Sequence, residues 1–317
     1  MSKQKKLTSP VLGGLDPAGL ANLLVVYIVW SSTYLAIRFA VREGSGFPPF
    51  TMGFMRAALA AVVLLLWGRL RRERLRLTRA EVFTLAGSGL LLWLGGNGLV
   101  TYAETRAESG LAALLVAASP IWAAIIEAVI DRKWPSRQLA FSLLVGFSGI
   151  AVLTAPELLG GVRADTVAVL ALVGAPVTWA LGSVLQARRP MTLSHRTSSA
   201  YQMAFGAVGF AALIFLMQEP LPTPTQEAWI AWAYLAVVGS IFAFTSYVAA
   251  LHLLPTRVVM TYAYVNPVLA VLLGSLVLQE RITGWTIAGS VLVLLGVAGV
   301  FRERRNHAKS RAKPKSR

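Results

Sequence analysis

Residues 109–128, SGLAALLVAASPIWAAIIEA, and residues 257–276, RVVMTYAYVNPVLAVLLGSL, are apolar stretches with a prolyl pair at matching positions. Ser119-Pro120 in the first lies 147 residues before Asn266-Pro267 in the second, and the same offset carries Gly149 onto Gly296. Working outward, the chain reads as ten apolar spans in two sets of five, at about 20–41, 50–68, 82–103, 110–130, 137–155, 165–186, 198–217, 227–248, 258–279 and 285–302. Five crossings reverse direction, so a duplicated five-span unit must sit upside down relative to its partner. Inverted repeats with an interrupted helix near the bilayer midplane are the architecture of secondary transporters.

Composition agrees. The 317 residues are 56% hydrophobic and 14% charged, with a mean hydropathy of +0.63. A soluble domain carries about 25% charged residues, and ten spans of roughly 20 residues consume about two-thirds of this chain. The expected fold class is therefore an all-α polytopic membrane protein with ten transmembrane helices in two inverted five-helix repeats. The expected domains are a segment 1–19, a first repeat 20–155, a second repeat 165–302 and a basic tail 303–317. The first span follows a lysine-bearing leader but is long and lacks a small-residue cleavage site, so it reads as a span and not a secretory signal. With no cysteine, disulfides and thiolate metal sites are excluded.

The net charge of +16 is unevenly placed. Of the 30 Lys and Arg, 24 fall on one set of span ends, including Lys3, Lys5, Lys6, the run Arg69 to Arg79 and the tail Arg302 to Arg317. The opposite ends hold only Arg42, Arg106, Arg163 and Arg281, while Arg38 and Arg56 lie inside spans. Cytoplasmic loops carry such an excess, so both termini are expected in the cytoplasm. The basic ends suit anionic lipid; nucleic acid is not expected as a partner, since no basic surface is interleaved with stacking aromatics. Expected chain breakers between spans are Gly44-Ser45-Gly46 with Pro48-Pro49, Pro156, Pro190 and Pro220 to Pro224.

Five strings carry a family resemblance: IVWSSTYLAIRF (28–39), NGLVTYAE (97–104), SGLAALLVAASP (109–120), TWALGSV (178–184) and TYAYVNPVLAVLLG (261–274). The chain resembles, from about Leu20 to Phe301, the EamA branch of the drug/metabolite transporter superfamily, and within it YedA-type inner-membrane exporters. The resemblance implies ten helices in two inverted five-helix repeats and export of amino acids or other small metabolites. It leaves the substrate open, because function resides in the site and not in the fold.

Polar side chains in spans face the bundle interior, so helical angle selects candidates for a path. In the third span Trp93, Asn97, Thr101 and Glu104 lie within about 80° of one another. Gly95, Gly96 and Gly98 surround Asn97, and either a cavity wall or plain helix packing accounts for them. The first span offers Tyr27, Trp30 and Tyr34 on one stripe with Arg38 at its edge; the sixth offers Trp179, Ser183 and Gln186. In the ninth, Tyr262 and Asn266 share a face from which Tyr264 is turned away. Pro267 removes a backbone donor there, and Ser119-Pro120 does so more weakly in the fourth, giving each half a kink on which to pivot. Arg56 is either a structural partner of helix-end carbonyls or of Glu104, or an anchor for a substrate carboxylate.

No Asp, Glu or His falls at mid-span within these bounds. Glu104, at the edge of the third span, is the remaining candidate for coupling, so obligatory proton coupling is not expected. Enzyme motifs are missing as well: there is no phosphate-binding glycine loop, His-Glu metal pair or GxSxG elbow. His195, His252 and His307 are expected in loops or the tail, so neither a metal nor a cofactor is expected. The reading is a non-enzymatic exporter of small neutral or zwitterionic solutes, amino acids foremost and aromatic ones among them, working as a monomer in the lipid bilayer of an inner membrane. Efflux of lipophilic cations is the alternative, and a non-transporting receptor or scaffold is the alternative of another class.

Overall fold

The structure is a computed structural model that describes residues 15–107, 109–160, 166–189, 191–278 and 282–312. Lys3, Lys5, Lys6, Arg163, Pro190, Arg281 and the tail side chains beyond Glu303 lie outside the described part. Ten helical rods follow in chain order: α1 Pro17–Val41, α2 Pro49–Leu70, α3 Arg79–Ala103, α4 in two pieces Ser109–Val116 and Ser119–Asp131, and α5 Arg137–Leu159. Then come α6 Thr166–Arg188, α7 His195–Met217, α8 Gln226–Leu253, α9 in two pieces Thr256–Val259 and Tyr262–Leu278, and α10 Gly284–Ala312. Among the described residues nine helices, all but α9, are long and apolar enough to cross a membrane.

Local chemistry sets the helix starts. Asp16 caps α1 by accepting from the Gly19 N–H at 3.0 Å, with Pro17 at the first helical position, where its missing donor costs nothing. Thr78 and Glu81 form a reciprocal capping box on α3, and Ser136, Ser194 and Thr225 cap α5, α7 and α8. Most elements start within a few residues of the expected bounds. Pro156, however, lies inside α5 and breaks nothing. Its ring forfeits the one bond its nitrogen would give to the Val152 carbonyl, and the helix ends within a turn of it.

Large apolar side chains such as Leu24, Ile28, Phe141, Phe215 and Leu295 are exposed all around the bundle, as a lipid-facing rim requires. The share of the apolar window buried within the protein reaches 61% in α8 and 56% in α6 but only 22% in α10. The first two therefore stand at the centre and α10 at the edge.

Contacts between the halves come in matched pairs. α1 packs on α8 and α9, and α6, its counterpart five rods later, packs on α3 and α4; α2 packs on α7 and α5 on α10. The α5–α10 pair is antiparallel and reciprocal at residue level. A Cβ on Gly149 would fall 2.6 Å from the Val293 nitrogen, and one on Gly296 would fall 2.5 Å from the Gly146 nitrogen. Since 146 and 293 also differ by 147, the same contact is made twice with the halves exchanged, as about a two-fold axis.

Two carboxylates repeat the exchange at opposite ends. Glu73, just past α2, accepts from the Thr197 hydroxyl at 3.0 Å and from Ser194 and Arg196 at the start of α7. Glu219, just past α7, accepts from the Phe50 and Thr51 N–H groups at 2.9 and 2.7 Å at the start of α2. Both acids sit where helix N-termini favour negative charge. The ends are tied further by Arg188 gripping Asp131 with both Nη groups at one, and by Arg42–Glu227 at the other.

Candidate functional site

Side chains from seven rods line a central cavity whose empty space, with the open solvent at its mouth included, is about 620 Å³. Its lining includes Trp30 and Tyr34 from α1, Arg56 from α2, Trp93 and Asn97 from α3, and Ser119 from α4. Trp179 of α6, Phe244 of α8, and Tyr262 and Asn266 of α9 complete the opposite wall. Eight of the ten sequence-selected cavity residues therefore meet in one place. Thr101 is buried but does not line the cavity, and Ser183 lies beneath its floor.

The glycines of α3 resolve as both packing and wall. A Cβ on Gly95 would fall 2.7 Å from Thr178 Cβ, and one on Gly96 would overlap the Trp179 ring. Only glycine lets α6 come close enough to bring its indole to the cavity. Over Leu90–Gly98, α3 winds as a π-helix, and α8 does so over Leu235–Phe244, close to the equivalent place. Such wide turns interrupt the ordinary ladder and cluster at functional sites. In each, a polar side chain reaches back five residues: Asn97 to the Leu92 carbonyl at 3.5 Å and Ser240 to the Leu235 carbonyl at 2.9 Å.

An aromatic box forms the floor. The Trp30 ring centroid lies 5.0 Å from those of Tyr247 and Tyr262 and 5.4 Å from that of Trp179, mostly edge to face. Trp30 Nε1 donates to the Gly239 carbonyl at 3.2 Å. Trp179 Nε1 donates to the Tyr247 hydroxyl at 2.9 Å, Tyr247 shares a 2.5 Å bond with Ser183, and Ser183 donates back to the Trp179 carbonyl at 2.6 Å. This closed circuit fixes both rings. Tyr247 was not selected from sequence, and no spacing rule singles it out.

Towards the basic end the bundle is shut by further polar contacts. Tyr27 meets Thr261 at 2.5 Å, and Gln202 donates to Ser88 at 2.7 Å and to Gln186 at 3.0 Å. Gln186 in turn faces His252 at 3.2 Å. Towards the other end the lining reaches Ile37 and Val100, about one helical turn from where α1 and α3 end. The cavity thus occupies the middle and the less basic half of the bundle.

Several expected placements change. His195 opens α7 and His252 lies within α8, their rings 4.9 Å apart, because both helices extend beyond their most apolar runs. Among the described residues no group of three His, Cys, Asp or Glu could hold a metal. Arg56 is not paired with Glu104: its Nε donates to Ser240 at 2.6 Å, and its guanidinium lies 5.2 Å from the Trp93 ring centroid. Glu104 caps the end of α3, fully buried outside the cavity, with neither carboxyl oxygen hydrogen-bonded; Arg38 donates to its main-chain carbonyl instead.

The two prolyl sites also differ. α4 is interrupted at Ala117-Ala118, with Ser119 and Pro120 starting its second piece. α9 is interrupted at Met260-Thr261 and then runs unbroken through Pro267. Asn266, one residue earlier, is buried; oriented to satisfy its amide, it donates to the carbonyls of Tyr262 at 3.1 Å and Tyr27 at 3.2 Å. Tyr264 packs away from the cavity and donates to the Leu143 carbonyl at 2.9 Å.

Comparison with known proteins agrees with this architecture. The model of the EamA-like transporter family matches residues 17–155 and again 166–302. An uncharacterised inner membrane transporter of Escherichia coli K12, YedA, is 32% identical over 283 residues, covering 86% of this chain and 90% of that protein. An uncharacterised transporter of Bacillus subtilis, YoaV, is 23% identical over 280 residues, covering 88% and 94%. A solved crystal structure superposes with a TM-score of 0.70 at 22% identity, over 89% of this chain and 97% of the other, which speaks to fold alone.

Proposed function

The chain belongs to the EamA-like transporter family of the drug/metabolite transporter superfamily, and from that premise we propose that it exports small metabolites, amino acids foremost and aromatic ones among them, across the inner membrane by alternating access. The observation that carries this reading is the cavity at the meeting of the two halves, with its aromatic floor and a few polar groups. The matched contacts between the halves support two inverted five-helix repeats that rock about the site. The polar contacts below the floor would be the gate that parts when the cavity turns to the basic side. We place that side, and both termini, in the cytoplasm, following the charge asymmetry.

Among the described residues no Asp, Glu or His lines the cavity, and its one charge is Arg56. That favours transport without obligatory proton coupling, with Glu104 left outside the path. It also disfavours lipophilic cations, which need a buried carboxylate. A bundle that encloses its cavity in one chain supports a monomeric working unit, and an ungated receptor or scaffold would have no use for such a lining.

The test is flux of a labelled amino-acid panel in proteoliposomes, with and without an imposed pH gradient. Uptake of at least one member down its own gradient is expected without a pH difference. No flux for any member from folded protein would overturn the reading. A strict requirement for the pH gradient that vanishes in Glu104→Gln would overturn the uncoupled mechanism alone.

A further inference from the structure

Arg56 is 5% exposed, and of its guanidinium only Nε has a partner, Ser240. Among the described residues no carboxylate pairs with it. A buried charge without a counter-ion is costly and is retained where something else completes it. The Trp93 face beneath the guanidinium compensates only in part. The indole N–H of the same Trp93 is buried without an acceptor. The Arg56 Nη groups are therefore short of an acceptor at the cavity wall, and the Trp93 N–H, itself a donor closed off by burial, lends them none.

The rest of the lining supplies no negative charge. The aromatic box around Trp30 offers flat apolar surface, and the amide of Asn266 is turned to two carbonyls. A zwitterion placed here finds a partner for its carboxylate but no carboxylate for its ammonium.

We propose that Arg56 anchors the carboxylate of the transported solute, and that the cavity takes aryl or alkyl monocarboxylates whose apolar body rests on the aromatic box, a free ammonium group being dispensable. The acceptor missing from the wall is then the solute itself: its two oxygens take the Nη groups in the fork geometry that suits a carboxylate. The inference rests on the transport reading above and names the feature recognised in its substrates, the carboxylate that amino acids share with simpler monocarboxylates.

Three probes of one shape separate the charges: 3-phenylpropionate, L-phenylalanine and phenethylamine. Binding to the full chain in detergent is read by quenching of intrinsic tryptophan fluorescence. The expected order is 3-phenylpropionate at least as tight as phenylalanine, with phenethylamine weaker by about tenfold or more, the step that one tenfold ratio represents at about 1.4 kcal/mol. Arg56→Gln should weaken 3-phenylpropionate by about tenfold or more while leaving phenethylamine unchanged, and Arg56→Lys should recover part of the loss. Wild-type binding of phenethylamine as tight as that of 3-phenylpropionate overturns the proposal, as does folded Arg56→Gln protein that binds the acid like wild type. No quenching by any of the three also overturns it. The wild-type ranking stands whether or not the variants fold. Tight acid binding without flux would leave the anchor in place and count against the transport reading instead.

Discussion

The fourth and ninth rods carry the same prolyl signature and bend in different places. In α4 the break falls immediately before Ser119-Pro120, at the level of the cavity, which Val116 and Ser119 line. The matching place in α9, 147 residues on, is unbroken helix, and the interruption comes earlier, at Met260-Thr261, beside the Tyr27–Thr261 contact that shuts the basic end. Proline explains half of this. It starts a helix without cost at the first positions but removes a bond within one. Pro120 occupies such a start, whereas Pro267 sits in the body of its helix. The comparison teaches that matched contacts between the halves do not bring matched helix breaks: one half is interrupted at the cavity and the other nearer the basic end.

The scaffold side of that comparison breaks most easily at Gly296. A Cβ there meets the Gly146 main chain at 2.5 to 2.6 Å, and backbone cannot step aside as a side-chain tip can. Gly296→Ala, and Gly149→Ala by the reciprocal contact, should each cost about 1–3 kcal/mol or more, of the order seen for overpacked cores. The measurement is the monodisperse fraction after detergent extraction. A normal yield for both would mean that the α5–α10 approach is looser than described.

Next in size are the two sides of the lining. Trp179→Ala opens the floor and breaks the Tyr247–Ser183 circuit, and is expected to cut flux by about tenfold or more, with a loss of stability of about 3–5 kcal/mol. Asn266→Ala removes one amide and should cut flux several-fold with little change in membrane level. If both variants transport normally, the cavity is not the path. Smaller again is the proline comparison. Pro267→Ala restores a donor in mid-helix and should slow flux a few-fold while melting no lower than wild type, whereas Pro120→Ala, at a helix start, should change less. Equal effects would erase the distinction between the pivots.

Much of this was legible because lipid imposes a simple rule. Polar and aromatic-polar residues in a span point inward, so Trp30, Tyr34, Trp93, Asn97, Trp179, Tyr262 and Asn266 could be selected from helical angle, and Arg56 from its charge within a span. Thr101 and Ser183 obey the same rule but are buried outside the cavity, Ser183 bonded to the Trp179 carbonyl of its own helix, and periodicity cannot tell such burial from lining a cavity. The π-helical stretches were out of reach: a shift from i−4 to i−5 bonding rotates the residues beyond it by about 100°, and only the glycines of α3 hint at one. Their counterpart in α8 has a single Gly239 and a serine that bonds its own backbone. The helix ends at His252 and Pro156 were misplaced for a related reason, since hydropathy marks where a span is apolar and hydrogen bonding decides where the helix stops.

The smallest effect tests the exchange of carboxylates between the halves. Glu73 at the start of α7 and Glu219 at the start of α2 each place a negative charge at a helix N-terminus of the opposite half, so Glu73→Gln and Glu219→Gln should each lower stability by about 1 kcal/mol at pH 7. Burial alone would raise the Glu73 carboxyl, but hydrogen bonds from Ser194, Arg196 and Thr197 together with the Arg196 charge outweigh it and hold the group below the usual carboxylate range. A carboxyl lowered in the folded state stabilises fully above its unfolded value of about 4.5 and loses that contribution as pH falls through the lower folded value. The wild-type advantage over Glu73→Gln in thermal unfolding should therefore be constant from pH 7 to about 5 and shrink on further acidification. A difference that persists unchanged to about pH 3 would show that Glu73 holds α7 by shape and not by charge, and the electrostatic half of the symmetry would be lost.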